Sequence, residues 1–570
     1  MINLSLLHQK ILANQTPIHF ASVSGVVTTK PSLIRYADQQ LGLELITTKS
    51  FQVLPNPGNR EPILCEMGVG SFGNSVGLRN PGLEVALAQL REFRASYQMK
   101  GILNVSLSAS SVADFITLVR AFAPVADMLE LNFSCPHAED GYGSDIGSSA
   151  DIASLYVREI RLALPDLSVP LFIKLTPNVT DIGTIASSVV KAGCDGLVAI
   201  NTAGPVQYIE PISNKPILQN KLGGKGGQSG TWIFERALQC VQEVRAAVGP
   251  QVPLIGMGGV STAEHVVQMI RSGADVVGIG SAFAKVHQRH WPSYLKALKE
   301  DASSLLGGLK SSNSCSEYVT TSKSMEYHQR AIIKRTLISE DILLLTLSGR
   351  WEYEAGQFVF LWLPQVGEKP FSIAHSSPLS FIIKKRGPFT EALFALEEGD
   401  PIYLRGLYGE QLQAEWTKRS LLIAGGTGVA VLPALAQSLQ KKGSQITSFI
   451  GTATDVGQTY NQMLQPYGEV ITVADEGKVG RILTEVEQFC RQGIEHLGCY
   501  VVGPTAFMRA AVELLLQHGV SGDKIHLSLE LNTMCGVGLC GECACGDKLT
   551  CQWGTFVSWH YLATHAPELI

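Results

Sequence analysis

Residues Leu254 to Ser281 read LIGMGGVSTAEHVVQMIRSGADVVGIGS and give the clearest indication of the fold. It holds two short apolar runs, Leu254–Met257 and Val276–Ile279, and glycines follow each run at once. In a (β/α)₈ barrel, the loops after strands seven and eight commonly bind phosphate through bare backbone N–H groups. The pattern therefore predicts the last two strands of such a barrel, with a phosphate held by Gly258, Gly259, Gly280 and Ser281.

Six further apolar runs precede this stretch and complete a set of eight candidate strands. Helix-like segments such as Leu83–Ser96, Val112–Ala123 and Ile152–Leu164 lie between the runs, with apolar residues recurring at three and four. Eight such repeats predict an α/β fold, a (β/α)₈ TIM barrel over residues 1–302. An open doubly wound sheet is the alternative, and a strand count alone does not exclude it. The six runs are Ile18–Ala21, Leu43–Thr47, Ile102–Val105, Met128–Leu131, Leu171–Leu175 and Gly196–Ile200.

The remainder of the chain divides into four parts. Residues 303–326 are rich in Ser, Lys and Gly and predict a linker. Short alternating runs in residues 327–415 predict a small antiparallel β-barrel. Residues 416–525 return to β–α alternation, which predicts an α/β nucleotide-binding domain, and residues 526–570 form a cysteine-rich tail.

The composition indicates large folded domains in a reducing compartment. Hydrophobic residues make up 45% of the 570 and charged residues 17%, which excludes disorder, and the net charge of −5 argues against a nucleic-acid or anionic-membrane partner. Residues 1–20 lack the apolar segment of a signal peptide, and glycines and a proline interrupt the most apolar run, residues 421–439. Five of the 12 cysteines crowd between Cys535 and Cys551, which favours metal binding in the cytoplasm over disulfides.

Polar side chains stand at the carboxyl ends of successive predicted strands, where barrel enzymes build their active sites. Any single one could be a structural polar residue, but six on one rim predict a binding site. Lys174 could stabilise the negative charge of a reduced flavin, so the glycine turns indicate FMN rather than a sugar phosphate. The six residues are Lys49, Asn104, Asn132, Lys174, Asn201 and Thr202.

Cys135 is the candidate catalytic base. It lies in Asn-Phe-Ser-Cys-Pro-His, just past the fourth predicted strand, and a Gly/Asp-rich run to Gly147 predicts a loop over the barrel mouth. A thiol with a pKa of about 8.5 needs only modest tuning to remove a proton beside a carbonyl while hydride leaves for a flavin. The alternative is an inert buried thiol.

The tail spacing predicts an iron–sulfur site. Cys535-x₄-Cys540-x₂-Cys543 matches the plant-type ferredoxin run, and Cys551 supplies a fourth thiolate for [2Fe–2S]. Zinc is the alternative, but structural zinc sites usually show two closely spaced ligand pairs, which this spacing lacks. Cys545 is interpreted as a bystander.

Five segments of the predicted barrel together resemble the dihydroorotate dehydrogenases, over about residues 18 to 290. Cysteine at the position of the base resembles class 1 of that family. The segments are Thr48-Lys49-Ser50, Asn74-Ser75-Val76-Gly77-Leu78-Arg79-Asn80-Pro81-Gly82, Asn132-Phe133-Ser134-Cys135-Pro136, Lys174-Leu175-Thr176-Pro177-Asn178 and Asn201-Thr202.

This resemblance implies two sets of binding residues. Asparagine suits a planar, amide-rich pyrimidine because it offers a donor and an acceptor together. The orotate set implied is Lys49, Asn74, Asn132, Asn201 and Thr202, with backbone contacts from Gly77 and Leu78. The FMN set implied is Ser22, Lys49, Asn104, Asn132, Lys174, Ile200, Gly230, Gly258, Gly259, Gly280 and Ser281.

Residues 327 to 560 resemble the ferredoxin–NADP reductase family and, within it, the electron-transfer subunit of class 1B dihydroorotate dehydrogenase. Lys369 stands where that family has Arg; it keeps the charge for a pyrophosphate but loses the bidentate fork. The strand, glycine turn and helix around Gly425 suit a pyrophosphate at a helix N-terminus. The residues implied to bind FAD or nucleotide are Lys369, Pro370, Phe371, Ser372, Gly387, Thr390, Gly425, Gly426, Thr427 and Gly428.

Together the resemblances imply NAD-dependent oxidation of dihydroorotate to orotate in pyrimidine biosynthesis, in a cytoplasmic homodimer. Cys135 would take the C5 proton as hydride leaves C6 for FMN, and electrons would then pass through [2Fe–2S] and FAD to NAD⁺. One alternative is a dihydropyrimidine dehydrogenase-like enzyme that reduces uracil or thymine. The other is a redox sensor or generic electron-transfer protein with a vestigial barrel.

Overall fold

The computed structural model describes residues 18–133, 144–412, 417–452, 456–474 and 481–570. These residues form two compact units. The first unit contains the described residues up to Met325 together with the segment Val537–Glu542, and the second contains Glu326–Gly536 and Cys543–Ile570. The two units are described in turn.

The first unit is built on a closed barrel of eight parallel strands, as the sequence predicts. Closure is visible at the first strand, where Ala21 pairs with Leu45 of the second strand and with Gly278 of the eighth. The open doubly wound sheet is therefore excluded. The barrel strands, numbered one to eight below, are Phe20–Ser22, Leu45–Thr47, Ile102–Leu107, Met128–Asn132, Leu171–Lys174, Gly196–Ala199, Leu254–Met257 and Val276–Ile279.

Amphipathic helices cover the outside of the barrel. Val112–Phe122 is typical: Ser111 caps its first turn by accepting a hydrogen bond from the Asp114 N–H at 3.1 Å, and its apolar residues are buried against the strands. The α-helices of the unit are Pro31–Gln40, Leu83–Ser96, Val112–Phe122, Ser144–Ser148, Ala150–Ala163, Ile182–Lys191, Phe234–Val248, Ala263–Arg271 and Trp291–Leu306. Short 3₁₀ turns are Thr231–Ile233, Ser281–Lys285, Gln288–His290 and Ser314–Tyr318.

Inserted strands that the sequence patterns did not reveal pack together in the first unit. They form a four-stranded sheet of Leu64–Gly68, Ser71–Asn74, Lys225–Gly230 and Ala203–Gln207, and a pair of Ile209–Glu210 with Lys215–Pro216. Lys225–Gly230 reads Lys-Gly-Gly-Gln-Ser-Gly, so no apolar alternation marks it as a strand.

Most of the segment predicted as a linker packs on the barrel. Helix Trp291–Leu306 runs into it, and Asp301 accepts hydrogen bonds from the Ser312 hydroxyl at 2.5 Å and the Cys315 N–H at 3.1 Å. Ser324 donates its N–H to buried Glu66 at 2.6 Å. The first unit consequently extends to Met325.

The second unit begins with a seven-stranded antiparallel sheet, in agreement with the predicted antiparallel domain. Helix Pro388–Ala395 follows its sixth strand. In chain order the strands are His328–Ser339, Ile342–Leu347, Phe358–Leu363, Gly367–Ser372, His375–Ser376, Leu379–Lys384 and Pro401–Tyr408.

A six-stranded sheet follows, parallel except at one edge. The antiparallel edge strand Phe556–Ser558 comes from the cysteine-rich tail, so the tail shares this sheet. In chain order the strands are Arg419–Gly425, Gln445–Thr452, Glu469–Ala474, Leu497–Val502, Ile525–Ser528 and Phe556–Ser558. The helices are Leu432–Lys441, Gly457–Leu464, Ile482–Arg491, Thr505–Gln517, Thr550–Trp553 and Trp559–His565, and the 3₁₀ turns are Gly426–Val431, Gln465–Tyr467, Gly522–Lys524 and Pro567–Leu569.

A two-stranded hairpin, Ala544–Cys545 with Lys548–Leu549, completes the tail. Across the described ranges, none of the helices combines the length and apolar character that a membrane crossing requires.

Candidate functional site

A buried polar network joins barrel strands three, four and five, with Asn104 and Glu130 in mid-strand and Lys174 at the carboxyl end of strand five. The Asn104 side-chain N–H donates to the Thr47 hydroxyl at 3.1 Å and to a Glu130 carboxylate oxygen at 3.2 Å. Lys174 lies 3.9 Å from the other Glu130 oxygen, and both charged side chains are buried. Because a buried charge is costly unless it is paired, Glu130 balances Lys174 inside the barrel.

The network extends to strand six through a chain of short side chains. Ser106 donates to Glu130 at 3.2 Å and shares a hydrogen bond with Ser50 at 2.9 Å. Asn132 donates to Ser50 at 3.4 Å and accepts from the Asn201 amide at 3.2 Å. The structure thus brings together the predicted residues Asn104, Asn132, Lys174 and Asn201. Thr202 joins them, since its N–H donates to Asn201 at 2.9 Å.

Sequence reasoning missed Glu130, Ser50 and Ser106 as members of this network. The available signal was Glu130 itself, a charged residue in the middle of the apolar strand Met128–Asn132. A carboxylate at such a position is rarely buried without a nearby cation.

One buried atom in the network has an unused hydrogen-bonding capacity. Asn104 is fully buried, and no described residue donates to its side-chain oxygen. Buried polar atoms are normally satisfied, so a buried acceptor without a donor indicates a missing donor. The imide and ring N–H groups of a flavin are donors of this kind, and the site therefore fits FMN on this count.

Two glycines of the predicted FMN site, Gly259 and Gly230, show whether the backbone there suits a phosphate. A Cβ on Gly259, where φ is +74°, would lie 2.6 Å from the carbonyl oxygen of Gly230. On Gly230, where φ is +93°, it would lie 2.0 Å from the carbonyl oxygen of Gly70. The packing therefore requires bare backbone at Gly259, after strand seven, and at Gly230, the last residue of the inserted strand Lys225–Gly230, as a phosphate cradle does. Ser281 begins the short turn Ser281–Lys285 directly after Gly280, and Gly258 precedes Gly259.

Two other predicted flavin contacts lie beside this region. Ser22 ends strand one and accepts a hydrogen bond from the Thr47 N–H at 2.8 Å. Ile200 directly follows strand six and is buried.

The predicted substrate segment, residues 74–82, is held by hydrogen bonds within itself and to the strand Lys225–Gly230. Asn74 donates to the Gly227 carbonyl at 3.1 Å and to the Ser229 hydroxyl at 3.2 Å. Leu78 has a φ of +55°, and its carbonyl accepts from the Asn80 side chain at 2.8 Å. Gly77 has a φ of +74°, and a Cβ there would meet Asn59 at 2.8 Å. Packing against Asn59 therefore favours glycine at position 77.

Lys49 is almost fully buried and faces a carboxylate from the tail segment of the first unit. Its ammonium lies 3.7 Å from one oxygen of Glu542, and Arg79 Nε lies 3.3 Å from the other. Burial lowers the pKa of Lys49, and the charge of Glu542 opposes that effect. Neither Arg79 nor Glu542 was singled out from the sequence. Cys135, the predicted base, lies outside the described residues.

In the second unit, the predicted FAD residues line one strand and a helix start. Lys369, Pro370, Phe371 and Ser372 belong to strand Gly367–Ser372. The Phe371 ring lies 6.2 Å from that of Phe389 on the following helix. The Thr390 hydroxyl accepts from the Gly387 N–H at 3.1 Å and so caps this helix.

The predicted nucleotide turn follows strand Arg419–Gly425 of the parallel sheet. Gly426 has a φ of +59° and starts the turn Gly426–Val431, which contains Thr427 and leads into helix Leu432–Lys441. A Cβ on Gly428 would lie 3.0 Å from Val502, and one on Gly425 would lie 3.1 Å from Phe507. Close packing against the neighbouring strand and helix thus requires small residues here, in addition to any role with pyrophosphate.

Three of the four predicted cluster cysteines gather in the second unit. The Cys551 thiol lies within hydrogen-bonding range of Cys535 and Cys543, contacts that together with burial raise its pKa well above the usual value. Cys540 belongs to the first unit's segment Val537–Glu542. Cys545 lies in the hydrophobic core, in keeping with a bystander.

No group of three or more His, Cys, Asp or Glu side chains in the described ranges is arranged to hold a metal ion. A two-iron cluster distributes its four thiolates over two metals, so its ligands need not converge on one point as zinc ligands do. The donor set of buried thiols in ferredoxin spacing therefore fits [2Fe–2S] by its chemistry.

Comparison with known proteins places the barrel among its relatives. Residues 6–301 match the model of the family described as Dihydroorotate dehydrogenase. The catalytic subunit of dihydroorotate dehydrogenase B (NAD(+)) from Methanocaldococcus jannaschii is 36% identical over 260 residues, 45% of this chain and 80% of the relative. That from Methanothermobacter thermautotrophicus is 37% identical over 241 residues, 42% and 75% of the two chains.

The similarity also extends to another class. Dihydroorotate dehydrogenase A (fumarate) from Lacticaseibacillus paracasei is 37% identical over 242 residues, 42% of this chain and 79% of the relative. Residues beyond 301 lie outside the family match.

Proposed function

Because the chain belongs to the dihydroorotate dehydrogenase family, we propose that it oxidises dihydroorotate to orotate and delivers the electrons to NAD⁺ within one polypeptide. The chain is an oxidoreductase of that family, and its reaction is consistent with pyrimidine biosynthesis. The route of the electrons beyond the barrel is the part that we propose here.

One observation carries the proposal for the barrel: a hydrogen-bonded chain runs from Asn201 through Asn132, Ser50 and Ser106 to the Glu130–Lys174 pair. Paired amides can recognise the alternating donors and acceptors of a pyrimidine ring. In this role Asn132, Asn201, Asn74 and Thr202 orient the ring, and Gly77 and Leu78 offer backbone groups.

FMN would be held by the Gly230, Gly258–Gly259 and Gly280–Ser281 turns at its phosphate and by Asn104 and Lys174 at its ring. The orphan acceptor on Asn104 supports this placement. Ser22, Ile200 and Lys49 would complete the flavin pocket. Lys174 would place a positive charge beside the ring, with Glu130 holding that charge in position.

Cys135 would act as the base. Oxidation removes a proton from C5 and a hydride from C6 of dihydroorotate, and the thiolate would accept the proton. Its position three residues after Asn132, the last residue of strand four, supports this assignment because active-site groups of barrels lie at that end.

The second unit would carry the electrons onward. Bound FMN, [2Fe–2S] and FAD would supply, in that order, an electron path from the pyrimidine to NAD⁺. Cys535, Cys540, Cys543 and Cys551 would hold the cluster. FAD and NAD would use strand Gly367–Ser372, Gly387, Thr390 and the Gly425–Gly428 turn. Fusion would supply one relay per barrel at high effective concentration.

The deciding experiment is the substitution Cys135→Ala in the full, cofactor-loaded chain. We expect orotate formation to fall at least about a hundredfold, the lower end of what general-base catalysis contributes. NADH-dependent dye reduction should persist, since it needs only the second unit. Flavin and iron analysis of the unmodified protein tests the cofactor assignment directly.

Cys194→Ala is the matched control. Cys194 precedes strand six, at the end of the barrel opposite the predicted active site. Its thiol is buried, and burial raises its pKa to about 12. Its loss should leave orotate formation unchanged. If Cys135→Ala turns over dihydroorotate at the unmodified rate, Cys135 is not the base.

Reduction of a neutral pyrimidine such as uracil is a second candidate. It is favoured by one contact, the Glu542 carboxylate against Lys49, which places a negative charge where an orotate carboxylate would bind. Turnover of uracil without turnover of dihydroorotate would establish this candidate instead. A protein that reduces dyes but turns over no pyrimidine would be an electron-transfer protein or sensor.

We further propose, from the family resemblance, a cytoplasmic homodimer formed through the barrel. Sedimentation of the purified chain tests the dimer, and a monomer across micromolar concentrations would contradict it.

A further inference from the structure

A charged network lies fully buried in the second unit. Arg405 donates from Nε to one Glu368 oxygen at 2.7 Å and from a terminal nitrogen to the other at 2.6 Å. Tyr327 donates its hydroxyl to Glu368 at 2.5 Å. Arg405 and Glu368 are 0% and 1% exposed, so solvent does not screen the pair.

The remaining guanidinium nitrogen reaches the cysteine-rich tail. It donates to the Tyr408 hydroxyl at 2.7 Å and to the backbone carbonyl of Cys535 at 3.0 Å. Cys535 is the first of the four predicted cluster ligands. Its carbonyl is therefore fixed by a buried cation that is itself held on two sides.

Aromatic packing restrains the next residue. The guanidinium lies 4.0 Å from the Phe360 ring centre, within cation–π range. Gly536 has a φ of +82°, and a Cβ there would lie 3.0 Å from Tyr408 and 3.1 Å from Phe360. The turn after Cys535 thus fits only as glycine against the same rings that surround Arg405.

Stability alone does not account for this arrangement. Replacing a buried ion pair by apolar residues of similar volume is often neutral or stabilising. The buried Arg405 guanidinium donates one of its hydrogen bonds to the Cys535 carbonyl. This bond is better explained if Arg405 positions that carbonyl and holds a fixed charge beside it.

We propose that Arg405 is a positioning residue for the iron–sulfur ligand loop: it fixes Cys535 and places a positive charge beside the loop that raises the reduction potential of the cluster. The inference rests on the proposed [2Fe–2S] site. A fixed positive charge favours the reduced, more negative state of a nearby redox group. Arg405 donates to the loop through one terminal nitrogen, whereas Glu368 binds the other two guanidinium nitrogens, so the charge in contact with the loop is positive.

Two substitutions should move the potential in opposite directions. Glu368→Gln leaves the guanidinium uncompensated and should raise the potential. The double substitution Arg405→Gln with Glu368→Gln removes the cation and its partner together and should lower it. We expect each shift to change the oxidised-to-reduced ratio at least about threefold, or about 28 mV at 59 mV per tenfold. A merely structural role would shift both variants the same way or neither.

The measurement is an EPR-monitored redox titration of the full chain, with iron and FAD contents determined on the same samples. Glu66→Gln is the matched control, because it removes the same charge from a buried Lys–Glu pair in the first unit and should leave the potential unchanged. If the double variant does not fold, Glu368→Gln and Tyr408→Phe decide, the latter being expected to lower cluster retention at unchanged FAD content.

The outcomes separate this inference from the function on which it rests. Unmodified protein without a [2Fe–2S] signal overturns both. If the variants retain the cluster and its reduction potential equals that of the unsubstituted protein, only the role of Arg405 is overturned. The same follows if Glu66→Gln shifts the potential as much as Glu368→Gln does.

Discussion

The carboxylate of Glu542 bridges two cations of the barrel, lying 3.7 Å from the Lys49 ammonium and 3.3 Å from Arg79 Nε. Lys49 is the residue that the family resemblance assigns to both orotate and FMN. The tail segment Val537–Glu542 belongs to the same compact unit as these cations, and the Val27 N–H donates to its Leu539 carbonyl at 3.3 Å. A negative charge from the end of the chain therefore acts on the predicted substrate site.

Glu542→Gln should tighten the binding of orotate. An anion bound at Lys49 would no longer meet a like charge, whose cost at about 8 Å and an effective dielectric constant of about 20 is roughly 2 kcal/mol. We expect the Kd of orotate to fall at least about tenfold and that of neutral uracil to stay the same, measured by calorimetry on the FMN-loaded chain. Glu300→Gln, an equal charge change on an exposed helix face, is the control. Equal changes for both ligands would contradict the electrostatic explanation.

Asn104→Ala should weaken FMN binding. The substitution removes a buried acceptor to which no described residue donates, and it also removes the Asn104 donor to Glu130. Loss of a buried hydrogen bond costs about 1–3 kcal/mol, or roughly a tenfold to hundredfold rise in Kd. Flavin fluorescence on reconstitution measures it. Asn461→Ala in the second unit should leave FMN affinity unchanged, and retention of FMN by Asn104→Ala would remove this residue from the flavin site.

Lys285→Met should destabilise the first unit. Lys285 donates to Glu66 at 2.9 Å, to the Ser322 carbonyl at 2.6 Å and to the Ser324 hydroxyl at 3.2 Å. Breaking a buried pair on one side leaves an uncompensated charge and costs about 3–5 kcal/mol. Urea unfolding followed through the bound FMN should show the loss, and residues 303–325 should become sensitive to protease. Adding Glu66→Leu should restore part of the stability; no recovery would show that Lys285 acts through packing alone.

Stability of the second unit should fall in mild acid because of His526. Burial lowers the pKa of His526. Its Nδ1 has no hydrogen-bond partner in the described part of the chain, and its ring stacks on that of Tyr500 with 5.5 Å between the ring centres. The unfolded chain, with a pKa of about 6.5, takes up a proton before the folded chain does. The free energy of unfolding should therefore be level above about pH 6.5 and decrease below it.

His526→Phe should flatten this pH dependence, as measured by thermal unfolding of the FAD-loaded chain between mildly acidic and neutral pH. His560→Gln, on an exposed residue of helix Trp559–His565, should leave the dependence as it is. A slope that persists in His526→Phe would assign the acid sensitivity to other groups.

Local sequence patterns predicted the barrel strands closely because a buried strand appears in the sequence as a short run of apolar residues. Leu254–Met257 and Val276–Ile279 have the predicted bounds, and the glycines after them lie at the strand ends. The four-stranded insertion was missed because strand Lys225–Gly230 consists mostly of glycine and polar residues. The packed state of residues 303–325 was missed for the same reason, since polar contacts to Glu66 and Asp301 leave no hydrophobic period.

Neighbours along the chain encode the eight-strand barrel, the glycine turns and the thiol spacing, so these features could be predicted from the sequence. The pairing of Glu130 with Lys174, of Glu542 with Lys49 and of Arg405 with the Cys535 carbonyl became visible only in the folded protein. Those pairs join residues far apart in sequence. Their geometry depends on how strands and loops pack, and a buried charge reveals its purpose only when its partner is in view.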